Sequence, residues 1–578
     1  MRGPAFLVVV LAALAATIGF ALRSARVHPQ EAHRPRVKLA VLVVFDQMRG
    51  DYPKRWESLF SAGGFLRLQS SGALFTSCHY PYATTTTGPG HASILTGTCS
   101  DKHGIINNNW FEGGATVYCA GSSSRYEFVP GPTPKAKDVG NPERLRAETV
   151  ADALKSMHRN AKVFGLSLKD RSAILPTGQR PDGAYWFNGQ FVTSTYYAER
   201  PRIWVEEFNR AKVADRWFGT DWVRFRDDVD YDAWSGPDYI PGEGKGISVT
   251  AKDDPARGWS QGVTFPHPNT GGRSRPSKEY YESLVNSPFG NELLLAFAKK
   301  CVVAEQLGAD DVPDLLVVSF SSNDLVGHTW GPDSQEVLDI TLRSDALMAD
   351  FLDFLDRQVG KDQYLLAVTA DHGICPLPEV SRSKGLDAGR IDAKALQRDI
   401  EDHLTQRFGA PAGPISKDKK PAWVEAQVLP WIYLNSKVCA AAKRSKAEVA
   451  GAVSEFVSQR PGFARAMTRA ELGGAIDPAD RIATMARRSF HPERSGDVFV
   501  VLKPYYLPSS PISGTGTTHG GPYEYDTHVP LMVMGPGVVG GTKTEPVTPQ
   551  ATAAIFAEWL GVRRPKSAEY PVPESLTR

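Results

Sequence analysis

The sequence predicts an α/β fold: a central, mostly parallel sheet with helices on both faces, interrupted by two large insertions. Two observations predict it. Short, nearly continuous apolar runs recur at residues 38–45, 314–320 and 364–369, and such runs suit strands buried on both faces. They alternate with longer segments of helical periodicity, which implies a sheet covered by helices. The 578 residues, 42% hydrophobic and 22% charged, are of ordinary globular composition and can bury a large core.

Met1-Arg2 precede an almost wholly apolar stretch over residues 5–22, followed by Arg23 and Arg26. This reads as a secretory signal, with Ala13-Leu14-Ala15 as the small-residue cleavage site. The stretch is also long enough for an uncleaved membrane anchor, so residues 1–26 are a signal peptide or a tether. No second apolar segment of that length follows, and the bulk of the chain is expected to be exported. Residues 27–36 read as a polar linker.

Residues 37–176 read as the first part of the catalytic core. The strand at 38–45 stops at Asp46, a helix is expected at 146–158, and a strand at 162–168 runs into Lys169-Asp170-Arg171. Residues 177–290 change character, with many Trp, Gly and Pro and several Asp clusters; they read as an irregular insertion, a cap over the sheet. The core resumes over 291–379. There a strand at 314–320 leads to Asn323-Asp324, a helix spans 335–359, and a strand at 364–369 leads to Asp371-His372-Gly373. Residues 380–496 form the second insertion, with helices at 393–407 and 446–458. The last core part, 497–578, holds strands at 497–502 and 529–534 and a closing helix at 548–560.

A net charge of +2 without a long basic run implies no nucleic-acid partner. The six cysteines form no CxxC pair, so no cysteine-zinc module is visible. Cys78 and Cys99 bracket the threonine-rich stretch Thr84-Thr85-Thr86-Thr87-Gly88-Pro89-Gly90 and would staple it in an oxidising compartment; buried free thiols are the other reading.

That stretch runs into a helix-like segment at 92–95. A threonine at such a boundary meets free backbone N–H groups and the positive helix end, which favour an oxyanion. Polar clusters also follow the strands, where ligands bind in an open α/β sheet. Asp46, Asp324 with His328, Asp371 with His372, and His519 together offer three aspartates and three histidines. Each alone has a structural explanation as a cap, a helical i, i+4 pair or a buried histidine. As a set they suit zinc, with manganese or iron as alternatives. His79, His91 and His103 read as structural.

These residues carry a resemblance. Phe45-Asp46-Gln47-Met48-Arg49, Thr87-Gly-Pro-Gly-His91, Asp324-x-x-x-His328, Asp371-His372-Gly373 and Gly516-Thr-Thr-His519-Gly are similar to motifs of the alkaline phosphatase superfamily. Within it, the chain resembles periplasmic, phosphate-irrepressible bacterial alkaline phosphatases with a threonine nucleophile, which in turn resemble nucleotide pyrophosphatases/phosphodiesterases. The resemblance spans about residues 38–560. It implies two zinc ions, one held by Asp46, Asp371, His372 and the nucleophile Thr87, the other by Asp324, His328 and His519 on the leaving-group side. It implies that Asn108, Lys169 and Arg171 clamp the phosphate, although the neighbouring threonines and Asn107 and Asn109 leave both registers open by one residue. The implied activity is hydrolysis of small-molecule phosphate monoesters through a phosphothreonine, in the periplasm.

A type I phosphodiesterase or nucleotide pyrophosphatase with the same metals is the alternative. Lys169 and Arg171 weigh against it, because a diester has one fewer charged oxygen to clamp. A sulfatase would need a C/S-x-P-x-R motif begun by a cysteine or serine, and none of the cysteines begins one. A catalytically silent, metal-stabilised binding protein of the cell envelope is a further alternative; the full ligand set weighs against it, and a phosphatase assay decides it. The sequence leaves the oligomeric state open.

Overall fold

Leu39–Phe45 (β1) is buried along its whole length, as an apolar run must be when both faces of a sheet are covered. The computed structural model describes residues 37–121, 126–132, 140–249, 258–412, 421–508 and 516–577. The expected export segment and linker lie outside the described residues. β1 sits inside a ten-stranded sheet. Its other strands, in chain order, are Ala73–Phe75 (β2), Phe128–Val129 (β3), Val163–Ser167 (β4), Gly183–Phe187 (β5), Phe191–Ser194 (β6), Asp314–Phe320 (β7), Tyr364–Thr369 (β8), Leu531–Met534 (β9) and Gly541–Lys543 (β10). Across the sheet the order is β10-β2-β9-β8-β1-β7-β4-β5-β6-β3.

The central strands β8, β1, β7, β4 and β5 are parallel. β9 joins antiparallel to β8 and β2, and β6 antiparallel to β5 and β3. Helices Pro288–Ala304, Gln335–Leu355 and Ala551–Leu560 supply Phe297, Phe351 and Phe556 to the main core around β1. The sheet is thus mostly parallel and flanked by helices, as the apolar runs predicted.

Register fixes where function can sit. Phe45 lies opposite Phe320, Val44 opposite Thr369, and Ser167 opposite Ser319. Four central strands therefore end at one edge, and the Asp46 N–H extends the ladder onto Phe320 O at 3.0 Å. Three helices begin at that edge: Thr87–Thr96 (α1), Asp170–Ile174 (α2) and Ser322–Trp330 (α3).

Four expectations need correction. β5 and β6 extend the central sheet from within residues 177–290. They form a hairpin turning at Asn188-Gly189-Gln190, with Gly189 at φ 77°. The strand expected in the core at 497–502 belongs instead to a four-stranded sheet in the order Val424–Val428, Trp431–Leu434, Val498–Leu502, Phe463–Thr468. Asp497 locks it there: its N–H donates to Ile432 O and its Oδ2 accepts from Leu434 N, both at 2.8 Å. The helix expected from 146 starts at Val150, because Thr149 and Asp152 close a reciprocal capping box. Cys78 and Cys99 form no disulfide; all six cysteines are buried and free.

β4 carries the turn that bears Lys169, and it packs too tightly under α2 to hold a side chain at Gly165. A Cβ there would lie 2.0 Å from the Ala173 carbonyl oxygen, and backbone cannot swing aside. Gly165→Ala should therefore cost about 1–3 kcal/mol through overpacking. The measurement is urea unfolding, where the midpoint should fall at unchanged slope; an unchanged midpoint would mean that α2 shifts freely.

Candidate metal centre and active site

The edge formed by β1, β7 and β8 brings six ligand-type side chains into two groups. Asp46, Asp371 and His372 form one, and Asp324, His328 and His519 the other; within each group the ligand atoms lie within 4.8 Å of one another. Asp46 directly follows β1, Asp371 and His372 follow β8, Asp324 and His328 share one face of α3, and His519 comes from the loop before β9. The three aspartate side chains are at most 5% exposed.

Backbone carbonyls fix the three imidazoles. His372 Nδ1 donates to Gly373 O at 2.9 Å, His328 Nδ1 to Thr517 O at 2.7 Å, and His519 Nδ1 to Thr85 O at 2.8 Å. A carbonyl only accepts, so each Nδ1 carries its hydrogen and each Nε2 turns to the carboxylates. His372 Nε2 lies 3.3 Å from Asp371 Oδ2 and 3.5 Å from Asp46 Oδ1. His328 Nε2 lies 3.1 Å and His519 Nε2 3.6 Å from Asp324 Oδ1. The His372 and His519 rings stack with centroids 3.5 Å apart.

Burial lowers the pKa of His372. Burial, reinforced by His372 and His328, lowers that of His519 well below its ordinary value. Both rings are therefore neutral, and their Nε2 lone pairs face carboxylate oxygens. Burial works against charge on His328 too, but Asp324 outweighs it and raises that pKa. Burial, with Asp324 and Asp371 alongside, pushes the Asp46 carboxyl well above its usual range. Asp324 stays well below it despite burial, held by His328 and Lys169.

These residues fit metal ions. Asp46 Oδ1 and Asp371 Oδ2 are buried and make no hydrogen bond, an arrangement that costs several kcal/mol without a cation. Oxygen and imidazole donors in threes, with room for a further ligand, are the donor set of catalytic zinc sites.

The four threonines separate in the structure. Thr85 Oγ1 donates to Gly521 O and Thr86 Oγ1 to Asn107 Oδ1, while Thr84 is fully buried. Thr87, the first residue of α1, places Oγ1 3.4 Å from His372 Nε2. Asn108 Oδ1 accepts from Gly88 N at 2.7 Å in the first turn of α1, and Asn109 is the exposed first residue of the strand Asn109–Glu112. Gly90 lets α1 lie against the metal-ligand loop: a Cβ there would be 2.3 Å from Asp371 O.

Lys169 and Arg171 diverge. Lys169 Nζ lies 2.6 Å from Asp46 Oδ2 and 2.5 Å from Asp324 Oδ2, between the two ligand groups. Arg171 makes no contact with the ligand set; its Nη1 donates to Tyr118 OH at 3.3 Å and its buried Nε has no partner. Tyr118 OH in turn donates to Asp170.

Two residues support the site: Gln47, which sequence reasoning passed over, and His91, which it read as structural. Gln47 donates from Nε2 to Asp324 Oδ1 at 2.6 Å and from its backbone to Asp371 Oδ1 at 3.2 Å. His91 Nδ1 donates to Thr87 O at 3.0 Å and lies 3.1 Å from Asp371 Oδ2, while its Nε2 meets Ser319 Oγ at 2.8 Å. The signal for His91 was its place four residues after Thr87 on α1.

Comparison with known proteins gives concordant results. The family described as type I phosphodiesterase / nucleotide pyrophosphatase matches residues 40–522. The chain is 32% identical over 554 residues to alkaline phosphatase PafA of Elizabethkingia meningoseptica, covering 94% of this chain and 95% of that protein. It is 31% identical over 559 residues to alkaline phosphatase PhoV of Synechococcus elongatus, covering 94% and 93%. The crystal structure of PafA superposes with a TM-score of 0.83, covering 94% of this chain and 99% of that one. A PafA variant with a threonine, an asparagine, a lysine and an arginine replaced has also been solved and superposes equally well.

If the two groups hold metal, the purified protein should carry close to two zinc ions per chain. His328→Ala and His372→Ala should each lower that content towards one, because each removes a ligand from a different group. Elemental analysis of folded protein checks this, and unchanged metal in both variants would refute the ligand assignment.

Proposed function

The chain belongs to the type I phosphodiesterase / nucleotide pyrophosphatase family, and from that premise we propose that it is a two-zinc alkaline phosphatase that hydrolyses small phosphate monoesters through Thr87. The observation that carries the proposal is the position of Thr87 Oγ1, at the start of α1 and 3.4 Å from His372 Nε2. The similarity to the PafA and PhoV alkaline phosphatases over almost the whole chain supports it.

Asp46, Asp371 and His372 would hold one ion beside Thr87, and Asp324, His328 and His519 the other. Bound there, the pair would lower the pKa of the threonine hydroxyl and offset charge on the departing oxygen. Thr87 Oγ1 attacks phosphorus in line; its bond to phosphorus forms as the bond to the ester oxygen breaks, and the alcohol departs. Water then cleaves the phosphothreonine and releases phosphate. The free amide NH₂ of Asn108, the Lys169 ammonium and the Arg171 guanidinium would meet the non-bridging oxygens. Tyr118 and Asp170 orient Arg171 for this. The PafA variant replaced at a threonine, an asparagine, a lysine and an arginine matches these four residue types in the same chain order.

The phosphodiesterase reading uses the same ions and nucleophile. Lys169, fixed between both ligand groups, favours the monoester, whose dianion has the extra charged oxygen. We also propose export to the periplasm, on the apolar segment at residues 5–22. Cell fractionation and N-terminal sequencing would test it and would tell a cleaved signal from a tether.

Thr87→Ala should abolish turnover with the metal retained, while Thr87→Ser should keep part of it. Lys169→Ala and Arg171→Ala should each lower kcat/KM for a monoester by about 10²–10³, and for the matching diester far less. Equal losses on both substrates would show that the pair does not discriminate, and a wild type that prefers diesters would turn the assignment to the phosphodiesterase reading.

A further inference from the structure

In-line displacement gives the site a direction. Thr87 Oγ1 stands beside His372, in the group with Asp46 and Asp371. The alcohol must therefore leave on the opposite side of phosphorus, toward Asp324, His328 and His519. A cavity of about 130 Å³ reaches that side at His519: His519 and Thr86 line it, while Thr87 and the other five ligand-type residues do not.

Its walls are mostly apolar. Phe499, Val501 and Leu502 come from the strand Val498–Leu502, Leu507 from the segment after it, and Tyr523 and Tyr525 from the segment after His519. The two tyrosines, with ring centroids 5.7 Å apart, have their hydroxyls already engaged. Tyr523 OH donates to Leu502 O at 2.5 Å, and Tyr525 OH accepts from Tyr505 N at 3.1 Å. Their aromatic bodies are what remain for a ligand. Besides Thr86, Asn107, Thr518 and His519, the lining holds one carboxylate, Asp526, whose Oδ2 accepts from Gly520 and Gly521 N–H and whose buried Oδ1 makes no hydrogen bond. A dry apolar cavity of about 150 Å³ holds one benzene, so this one is of single-ring size.

We propose that this cavity is a leaving-group subsite that selects phosphate monoesters of aromatic alcohols, one ring wide, with Asp526 Oδ1 available to a ring hydroxyl. The inference rests on the phosphatase reading for its direction, because it takes the His519 side as the leaving-group side.

The test compares two non-hydrolysable ligands of the zinc-loaded protein, 2-phenylethylphosphonate and propylphosphonate, by calorimetry. They carry the same phosphonate and differ in the ring. The phenyl ligand should bind at least about 10-fold more tightly, the discrimination an apolar pocket gives. Leu502→Glu, at a half-exposed wall position, should bring the ratio near one; any loss of affinity common to both phosphonates cancels in that ratio. A wild-type ratio of one overturns the proposal whether or not the variant folds, and so does a folded variant that keeps the preference. Turnover of benzyl phosphate against ethyl phosphate, whose alcohols are of similar acidity, should show the same ratio in kcat/KM. If the ring preference holds in binding but neither ester is hydrolysed, the subsite stands and the phosphatase reading falls.

Discussion

Three carboxylates buried at one sheet edge are the constraint on which the rest of this structure depends. Asp46, Asp324 and Asp371 are withdrawn from water within one small space, and a single fixed ammonium, Lys169, stands among them. One unpaired buried carboxylate already costs several kcal/mol. Such a cluster persists only where stronger terms fix its members. The register of β1, β7 and β8 supplies those terms, since slipping any strand would misplace its aspartate and break a fully buried ladder. Burial of the apolar strands thus supports the strain of the polar edge, and the proposed metal ions would balance its charge.

The same constraint explains the second insertion. Its four-stranded sheet has its own apolar cluster around Ile432, Val449 and Val498, yet it reaches back to the nucleophile loop. Ser489 Oγ accepts from both Ala83 N and Thr84 N at 3.0 Å, and Leu429 O accepts from Asn107 Nδ2 at 3.0 Å. Asn107 in turn receives the Thr86 hydroxyl. The loop before α1 is therefore held from the insertion side as well as from the sheet. An insertion that only shaded the site would not need these bonds, so it also helps to position Thr87.

Much of this was legible in the sequence, for physical reasons that also mark where legibility stopped. β7 and β8 could be read to the residue because a strand covered on both faces is nearly all apolar, and ligand-type residues follow each end within four positions. The run at 497–502 has the same composition, but composition does not say which sheet a strand joins; that was decided by Asp497 and its bonds to the Trp431–Leu434 strand. The β5–β6 hairpin carried a usable signal, Asn188-Gly189 between two β-rich runs, that the surrounding tryptophans and glycines obscured. The threonine register was open because four identical side chains differ only in their partners. The support from Gln47 was hidden because it acts through contacts more than 200 residues away, while His91, read as structural, does support the loop.

Lys169 shows how one site can belong to a phosphodiesterase family and still favour monoesters. The metal ligands and nucleophile set the direction of attack, which both ester types share. What differs is the charge remaining on the phosphoryl oxygens. Lys169 is the fixed cation at the junction, touching Asp46 of one ligand group and Asp324 of the other, so a phosphoryl group spanning both must come against it. Behind it, Arg171 retains a buried Nε without a partner and is steadied by Tyr118. On the proposed reading, a buried guanidinium donor without a partner would be satisfied by an anion, and by a dianion better than by a monoanion. The preference would then lie in two side chains, Lys169 after β4 and Arg171 in the first turn of α2, outside the ligand set, where it could change without altering the ligands or the nucleophile.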